Sequence, residues 1–389
     1  MIILDKPYVS NFLQNTIIKL DLPVLHSENI EELNLDNKIN LIKGEDFINK
    51  VNEKGALVYS NSENSIDWIT KNLSFTDLPE KIDVFKDKLK FRELLKDIYP
   101  DFFYKEVNVD GLKDFDINEI EMPFVIKPSI GFFSIGVYKV SSISEWKNVT
   151  TELKTEVNKM AKNYPVEVID TTKFIVEENI EGEEFAVDLY YDKDGRPVIL
   201  NILKHIFSSE EDVSDRVYIT SKEIIEENHD QFVEFLDDIG EMVELKNFPM
   251  HIEFRFNNYG ALIPIEVNPL RFAGWCTTDV AYYAYGINVY EYYFKQIKPD
   301  WKEILKNKED KIYSIVIADL PEDIDVNEIV EVDYDKFRSH FEKPLEMRKI
   351  DYVKHGVFAF LFAETDYNNW QELEEILKSS LEEYLKFKN

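Results

Sequence analysis

Between Met250 and Pro269 the chain reads MHIEFRF, a polar break at NNYG, then ALIPIEVNP. Each run alternates apolar and polar residues with a period of two, the pattern of a strand buried on one face, and the break between them is a turn signal. Two such runs this close in sequence pair antiparallel, so the region folds into sheet and not helix. The alternation sets Glu253 and Glu266 inside apolar strands, where a charge is costly unless something compensates it. With a tight turn at Asn258 and Tyr259, Glu266 is expected opposite His251 and beside Glu253 on one face, with Asn268 pointing the same way. A three-residue turn without a bulge would switch the faces and break that geometry. Two carboxylates and an amide oxygen are hard donors of the kind Mg²⁺ takes. A structural ion pair of Glu253 with Arg255 or Arg271 satisfies the same pattern.

Two further stretches carry chemistry. In FVIKPSIGFFSIGV, residues 124–137, an apolar run delivers Lys127 into Pro128, and a loop with Gly131 and Gly136 follows. A cation beside backbone N–H groups that glycine leaves accessible suits a phosphate chain, although the order of a P-loop is absent and the stretch taken alone reads as a surface hairpin. In FIVEENIEGEEFAVD, residues 174–188, a strand ends at Glu177 and Glu178, and Glu184 enters the next one after Ile180 and Gly182. Such acceptors suit an adenine amino group and ribose hydroxyls, and the alternative is a solvated acidic turn.

Elsewhere, IIL at 2–4, LPVL at 22–25, INLI at 39–42 and ALVYS at 56–60 alternate with polar helical stretches, the first of them capped by Ser10. That alternation predicts a small parallel-sheet domain up to about residue 85. Residues 83–98 predict one amphipathic helix ended by Pro100, with further helices at 143–162 and 222–245 and a last one from about 367. The tail from about 301 alternates apolar runs such as YSIVIADL and VFAFLFAET. The aromatic-rich segment that follows Ala273 predicts a core helix or one that contacts a second copy of the chain, which leaves a homodimer open.

Composition narrows the partners. A chain of 389 residues, 44% of them hydrophobic, exceeds the usual single-domain size and predicts two or three domains with their own cores. Its 45 Lys and Arg against 76 Asp and Glu leave a net charge of −31, which repels nucleic acid and anionic lipid, so neither is expected as a partner. An anionic ligand must therefore enter through a local positive patch. The single cysteine, Cys276, excludes an intramolecular disulfide framework and fits a reducing compartment; it reads as a packed small side chain. No signal peptide and no membrane span are expected, and the expected location is the cytoplasm.

In chain order, Asp87-Lys88, Lys127-Pro128 with its glycine loop, the acidic stretch from Glu177 to Glu184, Glu253, and Glu266-x-Asn268-Pro269 resemble the ATP-grasp superfamily of ligases over roughly residues 85–275. The resemblance implies an α/β and α+β architecture in which two α+β subdomains clasp ATP: a lid-bearing subdomain at 85–178 and a core subdomain with the metal site at 179–300. A Rossmann-like α/β domain at 1–84 would precede them and a C-terminal α+β region at 301–389 would follow. It implies that Lys88 and Lys127 hold the ATP phosphates, and that Ser129, Gly131, Ser134 and Gly136 belong to a lid; Phe132 and Phe133, which this chain carries there, are expected to exclude water. It further implies that Glu177, Glu178 and Ile180 form the adenine hinge, that Glu184 accepts from ribose, and that Glu253, Glu266 and Asn268 hold Mg²⁺ or Mn²⁺. The activity implied joins a small-molecule carboxylate to an amine, an amino acid or peptide being one case, through an acyl phosphate with release of ADP and phosphate. A small-molecule kinase and a nucleotide-binding regulator without turnover are the alternatives. The chain departs from the pattern in having Leu270 between the Asn-Pro pair and Arg271, and His251 where many members have arginine. Arg271, His251 and Arg216 are the candidates for steadying charge at the reacting carboxylate.

Overall fold

The computed structural model describes residues 1–388 except Lys54, 132–135, 164–171, 210–213, 258–259 and 322–323, and only the backbone at 154, 156 and 158–163. The four apolar runs at the start form a parallel sheet, β1 (Ile2–Ile3), β2 (Val24–Leu25), β3 (Leu41–Ile42) and β4 (Tyr59–Ser60), in the order β3-β2-β1-β4. The helix Asn11–Lys19 between β1 and β2 starts where Ser10 Oγ accepts from the Leu13 N–H at 3.1 Å, the cap its sequence predicts.

The predicted helix over 83–98 is two. One runs Leu78–Lys86 and the other Lys88–Leu94, separated by Asp87 in an extended conformation (φ −83°, ψ 107°). Asp87 breaks the run because its carboxylate accepts from the Leu89 N–H at 3.0 Å, a local bond that competes with helix continuation. The break starts the second helix at Lys88, whose own N–H donates to the Ser129 carbonyl at 2.8 Å.

A four-stranded antiparallel sheet follows: β5 (Tyr104–Asn108), β6 (Phe124–Pro128), β7 (Tyr138–Val140) and β8 (Lys173–Glu178), in the order β5-β8-β6-β7. The helix Ile143–Asn163 covers it, with Trp146 packing edge-on against Phe124.

The largest sheet is built from β9 (Glu183–Tyr191), β10 (Pro197–Ile206), β11 (Val217–Ser221), β12 (Phe248–Phe256), β13 (Leu262–Pro269) and β14 (Lys311–Asp319). Beyond β15 (Ile329–Val332), the strands β16 (Pro344–Lys349) and β17 (Val357–Asp366) join it, and β18 (Leu385–Phe387) pairs with β15 in a separate two-stranded sheet. The eight strands run antiparallel in the order β13-β12-β9-β10-β11-β14-β17-β16, so the tail extends the sheet that carries the paired glutamates. Among the described residues no helix is long and apolar enough to cross a membrane.

Candidate active site

The hairpin register differs from the expected one, for a physical reason. Three residues separate Asn257 from Ala261, which pair through the Asn257 N–H, and Ile265 is an extra residue between the pairs Phe254–Pro264 and Glu253–Glu266. The three-residue connection shifts the register by one and the bulge shifts it by one more, so the two faces are restored. Glu266 therefore stands directly opposite Glu253, and Asn268 stands opposite His251. Both glutamates open onto one cavity of about 680 Å³, which Lys88, Lys127, Asn268 and Arg271 also line.

Each carboxylate has a cation beside it. Lys88 Nζ lies 3.0 Å from Glu266, and His251 Nε2 lies 3.5 Å from Glu253. Burial pushes the Glu253 carboxyl up, with His251 pulling against it and Glu266 pushing the same way. Burial acts on Glu266 as well, but the ammonium groups of Lys88 and Lys86 outweigh it and hold that carboxyl down. No group of three His, Cys, Asp or Glu side chains stands together as a metal site among the described residues; the donor set here is two carboxylates and the Asn268 amide. Two like charges directly opposed on adjacent strands, with an amide oxygen next along, fit a hard divalent cation.

Lys127 stands next to the end of β6 and is buried. Its Nζ meets Glu177 Oε1 at 2.5 Å, and Glu177 Oε2 accepts from Arg92 Nε at 2.7 Å. Burial works against both charges, lowering Lys127 as well as opposing ionisation of the glutamate. The carboxylate, however, has two cations around it while the lysine has one anion, and the cations bring Glu177 down to about 2. Glu177 and the backbone after it are the expected adenine hinge; the Glu177 carboxylate is taken up by Lys127 and Arg92, and Glu177 lines the cavity together with Glu178, Asn179 and Ile180. Glu184, the expected ribose acceptor, lines the cavity too, with one oxygen 2.9 Å from His205 Nδ1 and the other accepting from Arg255 at 2.8 and 3.0 Å. Arg255 also donates to the Ile180 carbonyl at 2.6 Å, which ties the connector between β8 and β9 to β12.

Ser129 is buried, and its Oγ has no hydrogen-bond partner among the described residues. Gly131 accepts at its carbonyl from Lys86 Nζ at 3.0 Å, and Gly136 takes a φ of 74°. Phe132, Phe133 and Ser134, the remainder of the expected lid, lie outside the described residues.

The three candidate charges near the reacting group have different surroundings. Arg271 donates to Asn268 Oδ1 at 2.6 Å and lies 3.5 Å from Glu63 of the N-terminal region, within the cavity wall. His251 is held at Nδ1 by the fully buried Asp188 at 2.9 Å, whose same oxygen accepts from the Ala273 N–H at 2.7 Å. Burial disfavours the imidazolium, but Asp188 and Glu253 together raise His251 to about 9. Arg216 also lines the cavity, but its guanidinium is committed to both oxygens of Asp319, at 2.9 and 3.2 Å, and to carbonyls of the tail, so it joins β11 to β14 as an ion pair. Arg255 and Arg271 are thus engaged elsewhere, and among the described residues neither forms the ion pair with Glu253 that the strand pattern left open.

Arg92, Glu63 and Asp188 escaped the sequence reading. Asp188 ends the run FAVD, where a charge in an apolar strand gave the same signal as Glu253. Glu63 and Arg92 lie in ordinary polar stretches, and only the fold brings Glu63 to the cavity and Arg92 to Glu177.

Residues 120–279 match the family model described as the ATP-grasp domain. The fold is similar over 100% of this chain to an L-amino acid ligase from Bacillus licheniformis, with a TM-score of 0.71, 16% identity and 98% of that chain covered. It is similar over 100% of this chain to a biotin carboxylase from Campylobacter jejuni complexed with βγ-ATP, with a TM-score of 0.64, 11% identity and 91% of that chain covered. An N5-carboxyaminoimidazole ribonucleotide synthetase from Thermotoga maritima matches 99% of this chain and 98% of its own, with a TM-score of 0.63 and 15% identity. A comparison with curated proteins gave no match.

Proposed function

Because the chain carries an ATP-grasp domain within an ATP-grasp fold, we propose that it is an ATP- and Mg²⁺-dependent ligase that joins a carboxylate to an amine through an acyl phosphate, releasing ADP and phosphate. The observation that carries this reading is the meeting of Lys88 and Lys127, from a helix start and a strand end, with the Glu253–Glu266 pair and Asn268 in one cavity. On a chain of net charge −31, those lysines and Arg271 supply the local positive field that a polyphosphate requires.

In this reading Lys88 and Lys127 bind the phosphates, and Glu178 to Ile180 line the adenine end. Glu253, Glu266 and Asn268 would hold Mg²⁺, which when bound neutralises charge on the transferred phosphoryl group. Lys88 would then leave Glu266 for the nucleotide, since both compete for that ammonium. Arg271, anchored by Asn268, steadies the carboxylate as it attacks, and His251, fixed by Asp188, adds a second positive group on the same side. The likeness to an L-amino acid ligase supports an amino acid or small peptide as substrate.

The test is product analysis with MgATP, a panel of carboxylates and hydroxylamine as the trapping amine. ADP, phosphate and a hydroxamate are expected. AMP and pyrophosphate would mean adenylation and overturn the mechanism, and a phosphorylated product without hydroxamate would make the protein a kinase.

A further inference from the structure

The cavity continues past Arg271 to a second wall made from three distant parts of the chain. Tyr8 comes from the segment after β1, Trp275 from the segment after β13, and His355 and Val357 from the tail. The Tyr8 and Trp275 rings are stacked, with centroids 6.2 Å apart and planes 15° from parallel, and His355 meets Trp275 edge-on at 5.3 Å and 84°. Both Tyr8 and Trp275 pack behind against Phe360 of β17, at 5.7 Å in each case. Asn61 secures the Tyr8 backbone, donating to its carbonyl at 3.1 Å.

The backbone that presents this wall is strained. Leu270, Trp275 and Cys276 have φ values of 62°, 49° and 60°, a left-handed conformation that is unfavourable for a residue with a Cβ. The winding brings Arg271 and Trp275 to the same cavity within five residues of sequence. Gly274 lies under the Arg271 guanidinium, where a Cβ would stand 3.5 Å from Nη1. A guanidinium and an aromatic wall presented side by side match a carboxylate with a flat apolar body attached.

We propose that the wall of Tyr8, Trp275 and His355 binds the body of the carboxylate substrate and selects carboxylic acids with an aromatic or bulky apolar group. This rests on the ligase reading for the position of the carboxylate at Arg271. Rings and branched chains gain dispersion and burial against the stacked pair, whereas short or charged bodies leave the wall unfilled or lose solvation there.

Two measurements on the full chain separate the claims. Calorimetric binding of 3-phenylpropanoate, phenylalanine, acetate and aspartate in the presence of MgADP needs no turnover and tests the wall. Hydroxamate formation from the same acids with MgATP tests the ligase. The aromatic acids are expected to bind roughly tenfold or more tighter than acetate or aspartate, and Trp275→Ala to weaken them by a similar factor while acetate changes little. His355→Ala, at a second half-buried position on the same wall, is expected to weaken the aromatic acids too and guards against a folding defect in the first variant. Acetate or aspartate binding as tightly as the aromatic acids, or both variants weakening all four acids equally, overturns the proposed wall. Aromatic binding that responds to the variants without hydroxamate from any acid sustains the wall and overturns the ligase.

Discussion

Lys127 and Glu177 meet Nζ to Oε1 at 2.5 Å across adjacent strands, both almost wholly buried, and Arg92 closes on the other carboxylate oxygen. A strand can end in a buried cation here because its anion arrives from the neighbouring strand. Removing the anion leaves two buried positive groups facing one another. Glu177→Gln should therefore destabilise the protein by about 3–5 kcal/mol, read as a lower midpoint in urea. A midpoint within error of the parent would show that the triad contributes no net stability.

The same carboxylate predicts the acid limit of the fold. Its pKa falls from an ordinary 4.5 to about 2 in the folded protein, so folding favours its ionised form. For a lowered carboxylate the stabilisation is complete above the unfolded value and is lost as pH falls through the folded one. The stability difference between the parent and Glu177→Gln should be constant above about pH 5 and shrink steadily between pH 4.5 and 2. Urea titrations across that range measure it, and a difference that grows on acidification contradicts the assignment.

Glu266 faces Glu253 on one side and Lys88 on the other. Glu266→Gln keeps the volume and the strand but removes one of the proposed metal donors, so turnover should drop on the order of a hundredfold or more with the fold intact by circular dichroism. Chelation of divalent cations should abolish parent activity, and Mg²⁺ should restore it. Activity in the variant close to that of the parent would remove Glu266 from the metal site.

Lys88 can lose its side chain without losing its place, because its backbone N–H still bonds to Ser129. Lys88→Met should raise the dissociation constant for ATP roughly tenfold, the effect of deleting one charged contact to phosphate. Equilibrium nucleotide binding tests it, and unchanged affinity would take Lys88 out of the phosphate site.

Gly182 joins β8 to β9 with a φ of +113°, and a Cβ there would stand 1.7 Å from the Phe256 carbonyl oxygen. Neither the backbone conformation nor the space admits a methyl group. Gly182→Ala should cost ~2 kcal/mol or more and disturb the proposed adenine end of the cavity before the proposed phosphate end. Thermal melts with and without nucleotide would detect both, and a melting temperature equal to the parent's would show that the connector yields.

Local patterns carried much of this architecture. Period-two runs marked the hairpin of β12 and β13, alternation of short apolar runs marked the parallel sheet at the start, and Ser10 marked a helix cap. These features depend on neighbours in sequence. The break at Asp87 was missed because an aspartate within an amphipathic run is compatible with helix until its carboxylate finds the Leu89 N–H. The hairpin register was missed because Pro264, beside the bulge at Ile265, marks an edge strand as well as a bulge; the bulge compensates a loop whose length alone would have turned Glu266 to the wrong face.

Residue type and spacing by themselves determined which chemistry was available: a lysine in an amphipathic helical run and another near a strand end, glutamates in apolar strands, and a net charge that forces any anionic ligand into a local positive site. Only the tertiary structure decided how those groups are spent. It gave Glu177 to Lys127 and Arg92, Glu184 to His205 and Arg255, and Arg216 to Asp319, and it brought Tyr8 and the tail to Trp275. The reason is electrostatic and geometric. A buried charge takes whatever opposite charge packing brings within about 3 Å, and that partner is 85 residues away for Arg92 and Glu177 and 103 for Arg216 and Asp319, a distance no sequence period can span.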